Sequence, residues 1–185
     1  MHRLFVALRP PPEIRETLTG LMGGIEGARW QNDNQLHITL AFIGEVDRHR
    51  AEAIVEALDM IRQPPLHLKL GQFGAFDADR PGRTGTLWVG VTSDGPLASL
   101  AAAVRSALRR AGASPDQRKF SPHITLARFG AAGVARERLR PWLTETAASA
   151  PGLNASWQAT EFHLVESTLG REGAHHTPVA SYVLG

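Results

Sequence analysis

Two hydrophobic periods alternate along this chain, one of two residues and one of three to four, as expected where strands and helices take turns. Residues 3–8 read as a first strand. Pro10, Pro11 and Pro12 lead into Ile14, Leu18, Leu21, Met22 and Ile25, a helical spacing that proline can open and Gly23-Gly24 weakens. Residues 28–31 and 35–43 read as strands joined by a turn at Asn32-Asp33-Asn34. Asp47 is placed to cap a second helix whose Ala51, Ile54, Val55, Leu58 and Ile61 share one face, with Pro64-Pro65 ending it. Residues 66–73 and 86–91 alternate as strands around a polar loop at 77–85. A third helix opens after Asp94-Gly95-Pro96, carries Leu97, Leu100, Ala101, Val104 and Leu108, and stops near Gly112. Residues 122–129 predict another strand, 134–143 a helix despite Pro141, and 156–167 and 179–184 the closing strands.

This order contains a repeat. Leu4-Phe5-Val6-Ala7-Leu8, a helix, and His37-Ile38-Thr39-Leu40 form one unit; Leu87-Trp88-Val89-Gly90-Val91, a helix, and His123-Ile124-Thr125-Leu126 form the second. His37 follows Leu4 by 33 residues and His123 follows Leu87 by 36, so one strand–helix–strand plan is used twice. The expected fold class is α+β: a bilobal, pseudo-two-fold arrangement of two mainly antiparallel sheets facing a central cleft, with helices outside. A single domain over 1–185 is expected, its repeat units spanning about 3–62 and 66–145, with strands from 156–184 completing the sheets.

Composition narrows the chemistry. The 185 residues include no cysteine, which removes disulfides, thiolate metal sites and a cysteine nucleophile. With 20 basic and 18 acidic residues the net charge is only +2, too balanced for a charge-driven grip on long nucleic acid. No apolar run approaches a membrane span, and the N-terminal apolar stretch is too short for a signal peptide. A soluble cytoplasmic protein, and a monomer, is expected.

In each repeated strand, alternation puts His37, Thr39 and Ala41, or His123, Thr125 and Ala127, on one face and Ile38, Leu40 and Phe42, or Ile124 and Leu126, on the other. One His-x-Thr strand reads plainly as a polar sheet edge. Two identical copies at matching places of two repeats read as a joint site across a two-fold axis. Paired imidazoles suit phosphodiester chemistry, where one side chain removes a proton from water and the other protonates the departing oxygen. Thr39 and Thr125 can donate hydrogen bonds to the non-bridging oxygens.

With these motifs, and with Arg29-Trp30, Phe42-Ile43-Gly44-Glu45-Val46 and Phe120-Ser121-Pro122-His123-Ile124-Thr125-Leu126-Ala127-Arg128 around them, the chain resembles the 2H phosphoesterases. It is most similar to the bacterial and archaeal RNA 2′,3′-cyclic phosphodiesterases, historically called 2′-5′ RNA ligases. The resemblance implies a bilobal fold, no cofactor and no metal, and hydrolysis of RNA ends or nucleoside 2′,3′-cyclic phosphates to 2′-phosphates. It implies His37 as the acid at the 3′ oxygen, His123 as the base on water, and Thr39, Thr125 and Arg128 as phosphate ligands. Joining of RNA ends through a 2′-5′ linkage and non-catalytic RNA-end binding are the alternatives.

Strict alternation turns Arg128 away from His123, so it can serve the site only if the strand ends, twists or bulges after Ala127. Phe42 holds the equivalent place in the first repeat, which breaks the symmetry. Family members usually carry an aromatic residue, often tyrosine, after the Glu166-Ser167 pair, where this chain has His175-His176. Those two histidines read as a loop or edge-strand pair rather than a metal site, with Glu172 the only acidic neighbour in sequence. Trp30, Phe73, Phe76 and Phe120 are candidates for stacking a base, Phe120 foremost, although core packing suits each. Arg80, Arg83, Arg118 and Lys119 could attract phosphates, although loop charges are commonly just solvated.

Overall fold

The computed structural model describes residues 1–78, 82–149, 154–170 and 173–185. Its elements run β1 (His2–Leu8), α1 (Pro12–Gly20), β2 (Arg29–Trp30), a 3₁₀ turn (Asp33–Gln35), β3 (Ile38–Val46), α2 (Arg48–Asp59), β4 (Leu66–Asp77) and β5 (Arg83–Ser93). They continue with α3 (Leu97–Arg110), β6 (His123–Arg128), β7 (Val134–Ala135), α4 (Arg136–Ser149), β8 (Ser156–Ala159), β9 (Glu161–Gly170) and β10 (Gly173–Val183).

Among the described residues every strand joins one antiparallel sheet in the order β10-β9-β1-β3-β6-β5-β4-β8, with β2 added beside β6 and β7 beside β5. The order is a palindrome about the β3–β6 seam: β1 and β5 are the first strands of the two repeats, and β3 and β6 carry the two histidine motifs. At that seam Ile38 lies opposite Ile124, its own counterpart in the repeat. Both are fully buried, so each contributes about 1.5–3 kcal/mol of apolar burial to the joint. The two expected sheets are therefore joined into one curled sheet by a single bridge of equivalent residues.

The helices follow their apolar spacing. Asp47 accepts a hydrogen bond from the Arg50 amide at 2.8 Å and caps α2, whose Ile54 and Leu58 are fully buried. Leu100, Val104 and Leu108 of α3 are buried in the same core as Leu36, Ile38 and Leu40. On β1, Leu4, Val6 and Leu8 enter this core, while Phe5 and Ala7 pack with Val165 on the opposite face. Both faces of β1 are thus covered, which explains its unbroken apolar run. No helix among the described residues is long and apolar enough to cross a membrane.

Several expectations need correction. Helix α1 ends at Gly20, before Ile25, and Gly23 and Gly24 take φ of 142° and 74°, which favour glycine. The strands around Asn32-Asp33-Asn34 do not pair with each other. Asn32 and Gln35 instead form a reciprocal capping box around the 3₁₀ turn, and β2 pairs with β6. Strand β4 runs to Asp77 and β5 starts at Arg83, shortening the expected polar loop. Residues 134 and 135 form β7 against β5, and α4 runs beyond residue 143 with Pro141 inside it. Strand β10 begins at Gly173, so His175 and His176 are edge-strand residues, and Pro178 is tolerated because β10 is an outer strand. Arg80 and Glu172 lie outside the described residues.

Candidate active site

The site starts from two identical backbone constraints. His37 Nδ1 bonds the Gln35 carbonyl at 2.7 Å, and His123 Nδ1 bonds the Ser121 carbonyl at 2.7 Å. A carbonyl only accepts, so Nδ1 carries the hydrogen in both rings. Each neutral imidazole therefore keeps an unprotonated Nε2 that can take a proton or, once protonated, give one.

A bulge in each strand then reorients the residues beyond the motif. Ala7 pairs with Thr39 and Val6 with Ala41, so Leu40 is the extra residue of β3. Trp88 pairs with Thr125 and Leu87 with Ala127, so Leu126 is the extra residue of β6. Leu40 and Leu126 are equivalent in the repeat. Each is buried together with the alanine after it, since a bulge turns two successive residues to one side. Alternation is thereby reversed past the leucine. Ala41 and Ala127 belong to the core, contrary to expectation, while Phe42 and Arg128 line the cleft with the histidines. The bulge that admits Arg128 comes one residue earlier than strict alternation required.

The cleft has a volume of about 580 Å³ and is lined by His37, Thr39, His123, Thr125, Arg128 and Phe120, all of the expected site residues. Neither threonine hydroxyl has a hydrogen-bond partner among the described residues, so both are free to donate to a ligand. Arg128 is likewise without an ion pair there; its neighbour across β2 is another arginine, Arg29. Burial and Arg29 lower the Arg128 pKa from its ordinary value, yet a guanidinium remains charged at neutral pH.

The two imidazoles have different neighbours. Phe5 lies 4.9 Å from His37 between ring centroids, and His176 stands edge-on to it at 5.1 Å. Around His123 the rings are Phe76, edge-on at 4.9 Å, and Trp88 at 5.8 Å. Burial first, then the charges of His176, Arg128 and His123, push the His37 imidazole down to about 3 against the opposing effect of the Gln35 carbonyl. Burial also lowers the His123 pKa, with Arg128 adding to it and the Ser121 carbonyl opposing. Both rings are thus biased to the neutral form around an arginine that has no ion pair among the described residues.

Sequence reasoning missed Phe5 and His176 as neighbours of His37. By register Phe5, opposite Phe42, corresponds to Thr86, opposite Arg128, so the repeat offered no signal for an aromatic ring there. For His176 no local signal existed, because the β9–β10 pairing brings it in. Of the other candidates, Phe76, Arg118 and Lys119 line the cleft. Trp30 and Phe73 pack on Trp142 at 5.8 and 5.1 Å and belong with the core. Arg83 turns away to the carbonyls of Ala132 and Gly133. His163 bonds the Ser181 hydroxyl, and His2 bonds Glu166 at 2.9 Å.

A curled antiparallel sheet presenting two equivalent His-x-Thr strands to one cleft defines a two-histidine class of protein. The family model described as the 2′-5′ RNA ligase superfamily matches residues 10–171, and the chain belongs to that superfamily. The RNA 2′,3′-cyclic phosphodiesterase of Escherichia coli K12 is 33% identical over 187 residues, covering 99% of this chain and 97% of that protein. Its namesake from Aeropyrum pernix is 42% identical over 98 residues, 52% of this chain and 54% of that one. The crystal structure of E. coli LigT complexed with 3′-AMP superposes with a TM-score of 0.78 at 32% identity, covering 99% and 98% of the two chains. A Thermus thermophilus protein, TT0787, shares the fold, with a TM-score of 0.79 at 24% identity over 98% and 97% of the chains.

Proposed function

We propose that this protein is an RNA 2′,3′-cyclic phosphodiesterase that hydrolyses cyclic phosphate ends to 2′-phosphates by acid–base catalysis between His37 and His123. The observation that carries the reading is the matched pair of imidazoles. Each is fixed by an Nδ1–carbonyl bond of 2.7 Å, with its other nitrogen free for proton transfer. Water attacks phosphorus in line with the 3′ oxygen. His123, the more solvent-open ring, takes the proton of the attacking water as the new P–O bond forms. His37 delivers a proton to O3′ as the P–O3′ bond breaks, leaving the phosphate on O2′. Thr39, Thr125 and Arg128 hold the non-bridging oxygens, and Phe120 offers a face to a nucleobase.

The depressed His37 pKa fits an acid that is strong once charged. An anionic phosphate entering beside Arg128 offsets the positive field around His37 and raises the pKa of both imidazoles, so the proton needed at O3′ is recruited with the substrate. The mechanism uses neither metal nor cofactor. The whole chain, 1–185, serves as one cytoplasmic catalytic unit, and a monomer suffices because both histidines come from the same chain.

The test is incubation with a nucleoside 2′,3′-cyclic phosphate in the presence of EDTA, with the position of the product phosphate assigned by ³¹P NMR. Conversion to the 2′-phosphate is expected. No hydrolysis, a 3′-phosphate product, or dependence on added metal would overturn the reading.

A further inference from the structure

The cleft extends past the catalytic histidines along the segment between α3 and β6, residues 113–122. This wall is not a loose loop. Ala113 and Pro115 are buried. The Asp116 amide donates to the Phe42 carbonyl at 3.1 Å, tying the segment across to β3. Arg105 of α3 donates to the Arg118 carbonyl at 3.0 Å, fixing it from below. The backbone that carries its charges is therefore held in place.

These charges are also in surplus. Arg105, Arg118 and Lys119 all line the cleft, against one carboxylate in the segment, Asp116. Asp116 is engaged by the Arg118 amide and guanidinium, at 2.9 and 2.5 Å. The other acidic residue of the cleft, Asp77, is paired with Arg136. Lys119 has no ion pair among the described residues, and the Arg105 Nε has no acceptor there. One cyclic phosphate is a single negative charge, and Arg128 already faces it. A second cationic region, carried on an anchored segment, therefore stands in the same cleft with nothing in the first phosphate to neutralise it.

We propose that Lys119 and Arg105 bind the phosphodiester one nucleotide back from the cyclic end, so that a cyclic end with a 5′ neighbour is a better substrate than a lone nucleotide. This deepens the phosphodiesterase reading and rests on it. Phe120, next to Lys119 and facing the same cleft, lets the adjoining base stack without sequence preference. The wall reads the charge of the linkage and leaves the base unread.

Three substrates separate this proposal from its alternatives: a nucleoside 2′,3′-cyclic phosphate, a dinucleotide with the same cyclic end, and that dinucleotide with a neutral methylphosphonate linkage. The dinucleotide is expected to have a kcat/KM about tenfold or more above the mononucleotide's, with the methylphosphonate falling back toward it. In the Arg105→Gln/Lys119→Gln double variant the ratio of dinucleotide to mononucleotide should approach one. Affinity for a dinucleotide ending in a 2′-phosphate reads the same interaction without turnover. Its log–log salt slope should shrink by about 0.7 for each phosphate that the variant no longer neutralises.

Equal kcat/KM for the first two substrates would overturn the proposal, as would a gain that survives the neutral linkage and therefore belongs to base stacking. The methylphosphonate comparison uses the unaltered protein, so a folding defect in the double variant cannot decide it. Failure of both the mononucleotide and the dinucleotide to react would instead strike the activity itself, while the affinity measurement would still decide the subsite.

Discussion

The surroundings of His37 and of His123 are two versions of one design, and the comparison separates what the backbone provides from what the neighbours add. Each half supplies a His-Ile-Thr-Leu strand, a carbonyl two residues earlier that fixes the ring, and a bulge at the leucine. Beyond the bulge the halves part. The first puts Phe42 into the cleft and packs His37 between Phe5 and His176. The second puts Arg128 into the cleft and packs His123 between Phe76 and Trp88. Backbone symmetry thus yields two equivalently held imidazoles, and side-chain asymmetry puts the guanidinium in the half of His123 and the strongly depressed imidazole, His37, in the other. A substrate with distinct attacking and leaving oxygens needs that inequality.

The largest break in the comparison should come from Arg128. Arg128→Met keeps the stem but removes the cation, and kcat/KM should fall about 10²- to 10³-fold, as for loss of a transition-state anion ligand. Phe42→Leu, the matched change in the other half, should stay within a few-fold. Steady-state kinetics on one cyclic nucleotide compares them, and equal losses would deny the electrostatic asymmetry.

The threonines should sharpen the comparison from the symmetric side. Thr39→Val and Thr125→Val each remove one hydrogen bond to a charged oxygen, worth about 1.5–3 kcal/mol, so each should slow turnover by roughly ten- to a hundredfold. A loss confined to one of them would mean that only one half holds the phosphate.

The smallest effect is a shift in pH dependence. Both imidazoles titrate below their ordinary value in the free protein, so kcat/KM should peak on the acid side of about 6.5 and fall as pH rises, because one ring must be protonated. Substrate charge raises both, so the kcat optimum should lie at higher pH than that of kcat/KM. After burial, the charge of His176 lowers His37 most. His176→Phe keeps an aromatic ring there but removes that charge, and should move the NMR titration of His37 and the kcat/KM optimum upward. An unmoved His37 titration would show that His176 acts by contact alone.

Much of this was legible in the sequence, because the informative signals were local. The paired motifs, the cap of α2, the apolar faces of α2 and α3, and the strands β1 and β6 follow from periodicity and turn chemistry alone. What escaped depended on partners distant in sequence. The bulges at Leu40 and Leu126 are mismatches with β1 and β5, and no residue within β3 or β6 announces them. Strict alternation therefore sent Phe42 and Arg128 to the wrong face. Strand β10 was missed over residues 173–178 because an edge strand needs no apolar face, and its polar run and Pro178 resemble a loop. That error also hid His176, which reaches His37 only through the long β9–β10 ribbon.

The central claim is that two imidazoles from the two halves act as one catalytic unit, and a double-mutant cycle tests it most directly. His37→Ala and His123→Ala should each lower kcat by about 10²–10⁴-fold on a nucleoside 2′,3′-cyclic phosphate, with thermal unfolding little changed. Combining them should cost scarcely more than either alone, because residues that act as a unit are far from additive. Losses that multiply in the double variant, or near-normal turnover in either single one, would contradict the account.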